Sequence, residues 1–554
     1  MYKIGNIYFI AAVAVVGGAL FGFDISSMSA IISTPAYLCY FNQGPLYHDI
    51  DGICSGPRAS VQGGITAAMP GGSWMGAILS GFISDKLGRK KAIETGAIVC
   101  HCDPELAPLL LDTITHNIRC IGSIIVCASQ NIPMLIIGRF INGISVGLCS
   151  AQVPVYITEI APPSKRGRLV GSQQWAITWG ILIMFYISYG CSFIKGTSAF
   201  RIPWGLQMLP AIFLFIGLLF LPESPRWLAK KGRWDEVSEI LTLVHGRGDA
   251  NSPVVISEMA EIRQVVEFEQ SIADVTYMDL LKPAMINRTH IGVFCQIWSQ
   301  LTGMNVMMYY ITYIFTMAGL GSNVLLPSSI QFVLNVIMTV PAIIFVDKWG
   351  RRSTLLTGAL LMMTLHFINA GLLASYGRTP RPGEFASASE SIAINGPPSK
   401  VVIACTYLFV AAYASTWGPV SWVYPPEIYP LNLRSKAVSV STSANWAFNF
   451  ALAYFVPPAF ANIRWKVYLI FGIFCAAMFI HVFFLFPETS QKPLEEIDAI
   501  FNDTYPGSIR YIGAPAWKKF SVEKLSEEVE SGSSGVLNKV RQEPAMSESG
   551  ASGP

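Results

Sequence analysis

SDKLGRK, residues 84–90, follows one long apolar run, and VDKWGRR, residues 346–352, follows another far downstream. The match does not stand alone. EIAPPSKRGR (159–168) has its counterpart in EIYPLNLRSK (427–436), and PESPRW (222–227) has its counterpart in PETSQK (487–492). The members of each pair follow apolar runs that lie six runs apart in chain order. The chain therefore repeats itself once, in the same direction. Two six-helix halves in parallel orientation, with a site near the midplane where they meet, is a transporter plan.

The composition agrees. The 554 residues are 52% hydrophobic and only 13% charged, against about 25% charged in a typical soluble protein, and the mean hydropathy is +0.46. About twelve apolar windows are long enough to cross a bilayer as helices. The first six lie near 7–33, 62–84, 91–129, 132–158, 169–192 and 203–221, and the second six near 289–318, 328–347, 353–376, 400–425, 437–459 and 466–486. The first run carries Asp24 and lacks a small-residue cleavage site, so it is expected to be a retained helix rather than a signal peptide. The chain is thus expected to be an all-α membrane protein. Its units are an N-terminal six-helix bundle (1–221), a helical linker (222–288), a C-terminal six-helix bundle (289–486) and a largely disordered tail (487–554).

Lysine and arginine gather in alternate loops: Lys86, Arg89, Lys90 and Lys91; Lys165, Arg166 and Arg168; Lys348, Arg351 and Arg352; Arg434 and Lys436. The positive-inside rule puts these loops, both termini and the linker in the cytoplasm. The net charge of +3 gives no reason to expect a nucleic-acid partner. Cys39 and Cys54 then share an outer loop, where an oxidising compartment permits a disulfide.

The motifs carry a resemblance. FGFD (21–24), DKLGRK (85–90), GRFINGISVG (138–147), PESPRW (222–227), QLTGMNVMMYY (300–310), DKWGRR (347–352), WGPVSWVYPPEIYP (417–430) and PET (487–489) occur in one order over most of the chain. In this the chain resembles the sugar porters of the major facilitator superfamily, most closely the fungal high-affinity monosaccharide transporters. The resemblance implies the major facilitator fold, with twelve transmembrane helices in two bundles rocking around a central sugar site. It implies no cofactor, no metal and no enzymatic activity. The expected partners are a sugar, a proton and the lipid bilayer, with a monomer as the working unit in the plasma membrane.

Asp24 is a carboxylate at bilayer depth, a position that costs several kcal/mol unless the group is paired, protonated or functional. Burial favours its neutral form and a nearby cation its charged form, so moving it between those settings binds and releases a proton. The resemblance assigns the cation to Arg139 in IIGRF (136–140). The competing reading is a static Asp24–Arg139 ion pair. The cytoplasmic motifs supply five further pairs: Asp85 with Arg89, Glu159 with Arg166, Glu223 with Arg226, Asp347 with Arg351, and Glu427 with Arg434. By resemblance these are gates between the bundles. The plainer reading makes them topology signals alone.

A sugar offers hydroxyls and apolar C–H faces, so its site needs amides and an aromatic plate. Gln296 and Gln300 lie four apart on one helix face, and Asn305 follows Gly303, where family helices bend. Gln174, Asn335, Asn445 and Asn449 are further amides in apolar runs, where an unpartnered amide is costly. Each of these also matches a sugar-binding position of the family, and interhelical hydrogen bonding is the alternative role. Trp422 is the expected stacking plate, with Gly418 and Pro419 breaking its helix. Tyr413, Trp446 and Phe21 match aromatic positions of the family pocket. Many relatives carry adjacent glutamines where this chain reads Ser299-Gln300.

One stretch does not fit. KAIETGAIVC (91–100) and IGSIIVCASQ (121–130) are separated by HCDPELAPLLLDTITHNIRC, whose charges and prolines no lipid-exposed helix holds cheaply. Joining residue 100 to residue 121 restores a span of ordinary length. The segment is either a retained intron or an insertion that loops out and damages the helix. Its cysteines and histidines lack a standard zinc spacing.

The leading expectation is import of a monosaccharide, glucose or a related hexose, by proton symport with alternating access. The alternatives are a facilitative uniporter, a porter for another polyol or disaccharide, or a transporter-like glucose sensor. The sensor is disfavoured because only about 65 polar residues follow the last apolar run.

Overall fold

The computed structural model describes residues 4–43, 54, 56–97, 118–162, 165–246, 248–271, 276–320, 324–380, 392–430 and 433–490, together with 497 and 501. The fold is all-α. Among the described residues the β content is a single antiparallel bridge, Arg378 to Ala393.

Seven of the described helical segments are long and apolar enough to cross a membrane: Ile7–Ser33, Ile132–Ile160, Ser198–Leu219, Leu325–Val346, Arg351–Tyr376, Pro397–Ile428 and Lys466–Leu485. This is a multi-pass membrane protein. Other helices are equally long but more polar, notably Ala59–Leu87, Arg166–Cys191 and Arg434–Ile463. Their polar side chains point inward: Ser73, Ser80 and Ser84 on the first, and Ser439, Asn445 and Asn449 on the last, are all buried. Ala59–Leu87 packs between Ile132–Ile160 and Arg434–Ile463, and Val16–Ser29 packs along Arg166–Cys191. These helices can carry hydroxyls and amides because those side chains face other helices. Outward-facing side chains such as Phe213, at 68% exposure, meet the lipid.

Two breaks shape the interior. The helix Pro283–Leu301 ends before Gly303, whose φ of +84° starts Met304–Phe315 in a new direction. Only glycine adopts that backbone at no steric cost. The second break is at Thr416 (φ −133°, ψ −86°), between Pro397–Ser415 and Trp417–Ile428. It therefore precedes Gly418 and Pro419 rather than falling on them. Pro419 sits in the first turn of the following helix, where its missing N–H leaves no acceptor unsatisfied.

Cys39 and Cys54 form a disulfide, with Cα atoms 4.9 Å apart. Where one span was expected over 91–129, the described residues form two short helices, Arg89–Ala97 and Ile118–Cys127. Both lie on Ile132–Ile160. Residues 101–117 of the interrupting segment and residues 502–554 of the tail lie outside the described residues.

The polar stretch after residue 222 folds into the helices Pro225–Lys230, Trp234–Val244 and Pro253–Ser271. They share a small core of their own that includes Leu228, Val237, Ile240, Leu241 and Val255. His245 ties this unit to the membrane part. Its Nδ1 meets Glu258, and its Nε2 meets the Ile160 carbonyl at 2.9 Å. Burial by itself would lower the His245 pKa, but the hydrogen bond and charge of Glu258 outweigh it, and the net shift is upward from 6.5. A raised histidine stabilises fully below its unfolded value, and that stability is lost as pH rises through the folded value. Hydrogen-exchange protection of 225–271 is therefore expected to fall as pH rises above the ordinary histidine value of about 6.5. His245→Gln should flatten that dependence. An equal fall in the variant would remove His245 from the explanation.

Candidate functional site

Near the breaks at Gly303 and Thr416 lies a narrow cavity lined by residues of both halves of the chain. Phe21, Gln174, Gln300, Asn305, Asn335, Tyr413, Trp422 and Asn445 line it, so most of the amides and aromatics singled out in the sequence come to one place.

The amides form a chain. The kink at Gly303 folds Asn305 back, so that its Nδ2 donates to Gln300 Oε1 at 2.6 Å. Gln300 Nε2 donates to Asn445 Oδ1 at 3.0 Å. Asn445 Nδ2 donates to Gln296 Oε1 at 2.6 Å, and Gln296 Nε2 to the Ser421 carbonyl at 2.8 Å. Gln296 thus stands one bond behind the cavity wall. Such a chain pre-orients the front amides, whose remaining lone pairs and protons face the cavity. Across from it, Trp422 Nε1 donates to Gln174 Oε1 at 3.0 Å. The Asn335 side-chain oxygen is buried without a hydrogen-bond partner among the described residues.

Besides Gln296, two predicted residues do not line the cavity. Trp446 lies behind Phe21, with ring centroids 4.7 Å apart at 72°, and its Nε1 donates to Ser150 Oγ at 3.0 Å. Asn449 is buried, with its amide beside the Tyr309 hydroxyl. The wall also includes Ile25, Ile177, Ile181, Met304 and Met308, which had not been singled out. Their signal was available: Ile25 follows Asp24, and both methionines sit in the QLTGMNVMMYY motif. Ser299, flagged only as a departure from relatives, lines the cavity and bonds to the Tyr413 hydroxyl at 2.9 Å.

The buried carboxylate departs from expectation. Asp24 Oδ2 accepts from Nη1 of Arg119, and both side chains are fully buried. Arg139 feels the charge of Asp24 but does not bond to it; its Nε donates to the Ile65 carbonyl at 2.9 Å. The expected Asp24–Arg139 pair is therefore replaced by Asp24–Arg119. The cause is the helix Ile118–Cys127, which brings in a guanidinium from the interrupting segment.

The cytoplasmic charges also pair differently. Arg89 Nε bonds to Glu159 Oε2 at 3.0 Å, while its backbone N–H donates to Glu223 at 3.0 Å. The second half repeats this arrangement. Arg351 Nη2 bonds to Glu427 Oε1 at 2.8 Å, and its backbone N–H donates to Glu488 at 2.8 Å. Even the preceding glycines match: Gly88 (φ +102°) and Gly350 (φ +86°) each leave room that a Cβ would fill 2.5 Å from the glutamate oxygen. These clusters lie within each repeat, so the expected bonds between the bundles are not what they make. Among the described cytoplasmic charges, the ion pair that joins the repeats is Lys436 to Asp85, at 3.5 Å.

Of the five expected pairs, Asp85–Arg89 forms at 3.6 Å. Glu159 is taken by Arg89 and Ser224, and Glu427 by Arg351 and Thr489, because those donors arrive from the neighbouring helix end. Arg434 donates to the Tyr429 carbonyl at 3.2 Å. Glu223 caps the backbone of Arg89, Lys90 and Ser224 instead of facing Arg226. The side chains of Arg166 and Asp347 lie outside the described residues.

Burial pushes the Glu223 carboxyl up, against the pull of the Lys90 and Ser224 N–H groups. The Arg89 side chain is only 11% exposed, so Arg89→Ala would leave Glu159 buried without its main cation. The expected loss is about 3 kcal/mol, read as a fall in the thermal melting temperature of the purified protein in detergent. A melting temperature within a degree or so of the parent would make the cluster a bystander.

Comparison with known proteins places the chain. The family profile described as "Sugar (and other) transporter" matches residues 10–102 and 113–501, and so breaks inside the segment that interrupts the third run. A protein named MFS glucose transporter from Aspergillus flavus is 44% identical over 541 residues, covering 96% of this chain and 94% of its own. A protein named high-affinity glucose transporter from Kluyveromyces lactis is 44% identical over 507 residues, covering 90% and 86%. Among solved structures, a proton:xylose symporter bound to 6-bromo-6-deoxy-D-glucose matches with a TM-score of 0.69 at 26% identity, covering 90% of this chain and 99% of that one. The chain belongs to the sugar porter family of the major facilitator superfamily; it is a transporter and not an enzyme.

Proposed function

We propose, from that membership and from the cavity, that the chain imports a monosaccharide, glucose or a related hexose, by proton symport with alternating access. One observation supports this above the rest: a cavity walled by hydrogen-bonding amides and the Trp422 ring, with a buried carboxylate, Asp24, one helical turn from the lining residue Phe21. The same reading gives twelve transmembrane helices in two bundles, 1–221 and 289–486. They are joined by a cytoplasmic linker (222–288) and followed by a cytoplasmic tail (487–554). The working unit is a monomer in the plasma membrane with both termini inside.

The steps follow from the geometry. Asp24 takes a proton from outside and loosens its hold on the guanidinium beside it. Sugar replaces some of the amide-to-amide hydrogen bonds between Asn305, Gln300 and Asn445 with its own hydroxyls and lays a C–H face on Trp422. The Lys436–Asp85 link between the repeats, partly exposed and so individually weak, gives way. The glutamate–arginine clusters keep each half rigid while the halves rock. Sugar leaves inward, and the proton follows.

The test is radiolabelled glucose uptake in a yeast lacking its own hexose transporters, with and without a protonophore. Both the full chain and a form lacking residues 101–120 are measured. Protonophore-sensitive accumulation supports symport. Equilibration that ignores the protonophore supports the second reading, a facilitative uniporter. That reading is favoured by one observation: Asp24 already holds an ion pair with Arg119. No glucose uptake from either form would defeat the choice of sugar.

A further inference from the structure

We propose that Arg119 is a clamp on Asp24, so that the chain carrying it is a restrained form in which the proton site has one cation too many. The inference rests on the reading of Asp24 as the proton carrier. Asp24 is a single carboxylate, and two guanidiniums stand near it in an interior closed to water, Arg119 on Ile118–Cys127 and Arg139 on Ile132–Ile160. Arg119 has taken Oδ2. Four nitrogens on these two side chains are then buried with no hydrogen-bond partner among the described residues: Arg119 Nε and Nη2, and Arg139 Nη1 and Nη2. Asp24 Oδ1 is also unpartnered. One carboxylate cannot satisfy two forks, and the surplus positive charge lies where charge is costly.

The other elements around Asp24 supply no relief. Gly22 fits against the backbone of Ile177, Gly180 and Ile181, and Gly17 against Val153, Cys149 and Leu214, all uncharged under these conditions. The Tyr309 phenol on Met304–Phe315 feels Asp24 but is neutral at working pH. Arg119 is therefore the surplus group, and it comes from the interrupting segment, a few residues past the break in the family match at 103–112. Joining residue 100 to residue 121 removes Arg119 and leaves Arg139 as the cation beside Asp24.

The experiment uses the full chain, Arg119→Gln, Arg119→Lys and the chain lacking residues 101–120, each with and without Asp24→Asn. Two readouts are taken: the ratio of protonophore-sensitive accumulation to sugar counterflow in yeast, and the melting temperature of the purified protein. Arg119→Gln and the shortened chain should raise the ratio about tenfold over the full chain, the factor a charged hydrogen bond is typically worth. Arg119→Lys should hold it down. In the full chain the melting shifts of Asp24→Asn and Arg119→Gln should be non-additive, as for directly bonded partners. Equal accumulation ratios for the full chain and Arg119→Gln, or additive melting shifts, would overturn the clamp. Accumulation that survives Asp24→Asn in the shortened chain would defeat the reading of Asp24 as the proton carrier, and the melting cycle would then decide the pairing alone.

Discussion

Asp24→Asn, placed in the chain lacking residues 101–120, is expected to abolish uphill sugar uptake while counterflow driven by sugar itself continues. Asparagine keeps the size of the side chain and an oxygen acceptor for the neighbouring guanidinium, but it neither gains nor loses a proton. The full thermodynamic gain of coupling should therefore vanish. One pH unit is worth 1.36 kcal/mol per proton and a potential of 100 mV about 2.3 kcal/mol. One proton per sugar under such a gradient sustains accumulation on the order of several hundredfold. In the variant the inside-to-outside ratio of a non-metabolised hexose analogue should settle at about one. A ratio that stays high would show that the proton travels elsewhere, and Asp24 would revert to a partner in a static ion pair.

Much of this site was readable because membrane helices tolerate few polar groups. Gln174, Gln300, Asn305, Asn335 and Asn445 stood out as amides in apolar runs, and they share one cavity. The repeat DKLGRK/DKWGRR likewise pointed to two equivalent ends, and the Arg89–Glu159–Glu223 and Arg351–Glu427–Glu488 clusters share one plan. The choice of partner was not readable. Motif spacing puts Glu159 and Arg166 close in the chain, but it gives no sign that helix packing also delivers Arg89 to Glu159. The backbone break at Thr416 was misplaced by two residues because a proline marks the turn after a break as well as the break itself. Hydropathy passes over helices such as Ala59–Leu87, since a serine facing another helix and one facing lipid score alike. Arg119 could not be foreseen at all. Its segment looked foreign to the span, and only folding shows a fully buried cation on Asp24.

Gln300→Ala is expected to raise the KM for hexose about a hundredfold, with a smaller effect on the maximal rate. Gln300 is the middle of the amide chain, accepting from Asn305 and donating to Asn445. Truncation removes one amide that faces the sugar and unpairs two more, each unpaired buried group costing about 1–3 kcal/mol. Some of that cost falls on the empty protein, and the remainder on the complex, roughly 2.7 kcal/mol for a hundredfold change. Gln296→Ala separates the two parts. Gln296 bonds to Asn445 and the Ser421 carbonyl behind the wall, so its loss should lower the melting temperature more and the KM less. Zero-trans uptake of labelled hexose over a wide concentration range measures both parameters in one series. A Gln300→Ala KM within twofold of the parent would mean that the amide chain only holds helices together and that the sugar is read elsewhere. A Gln296→Ala KM as high as that of Gln300→Ala would move the contact surface one layer deeper than the cavity wall.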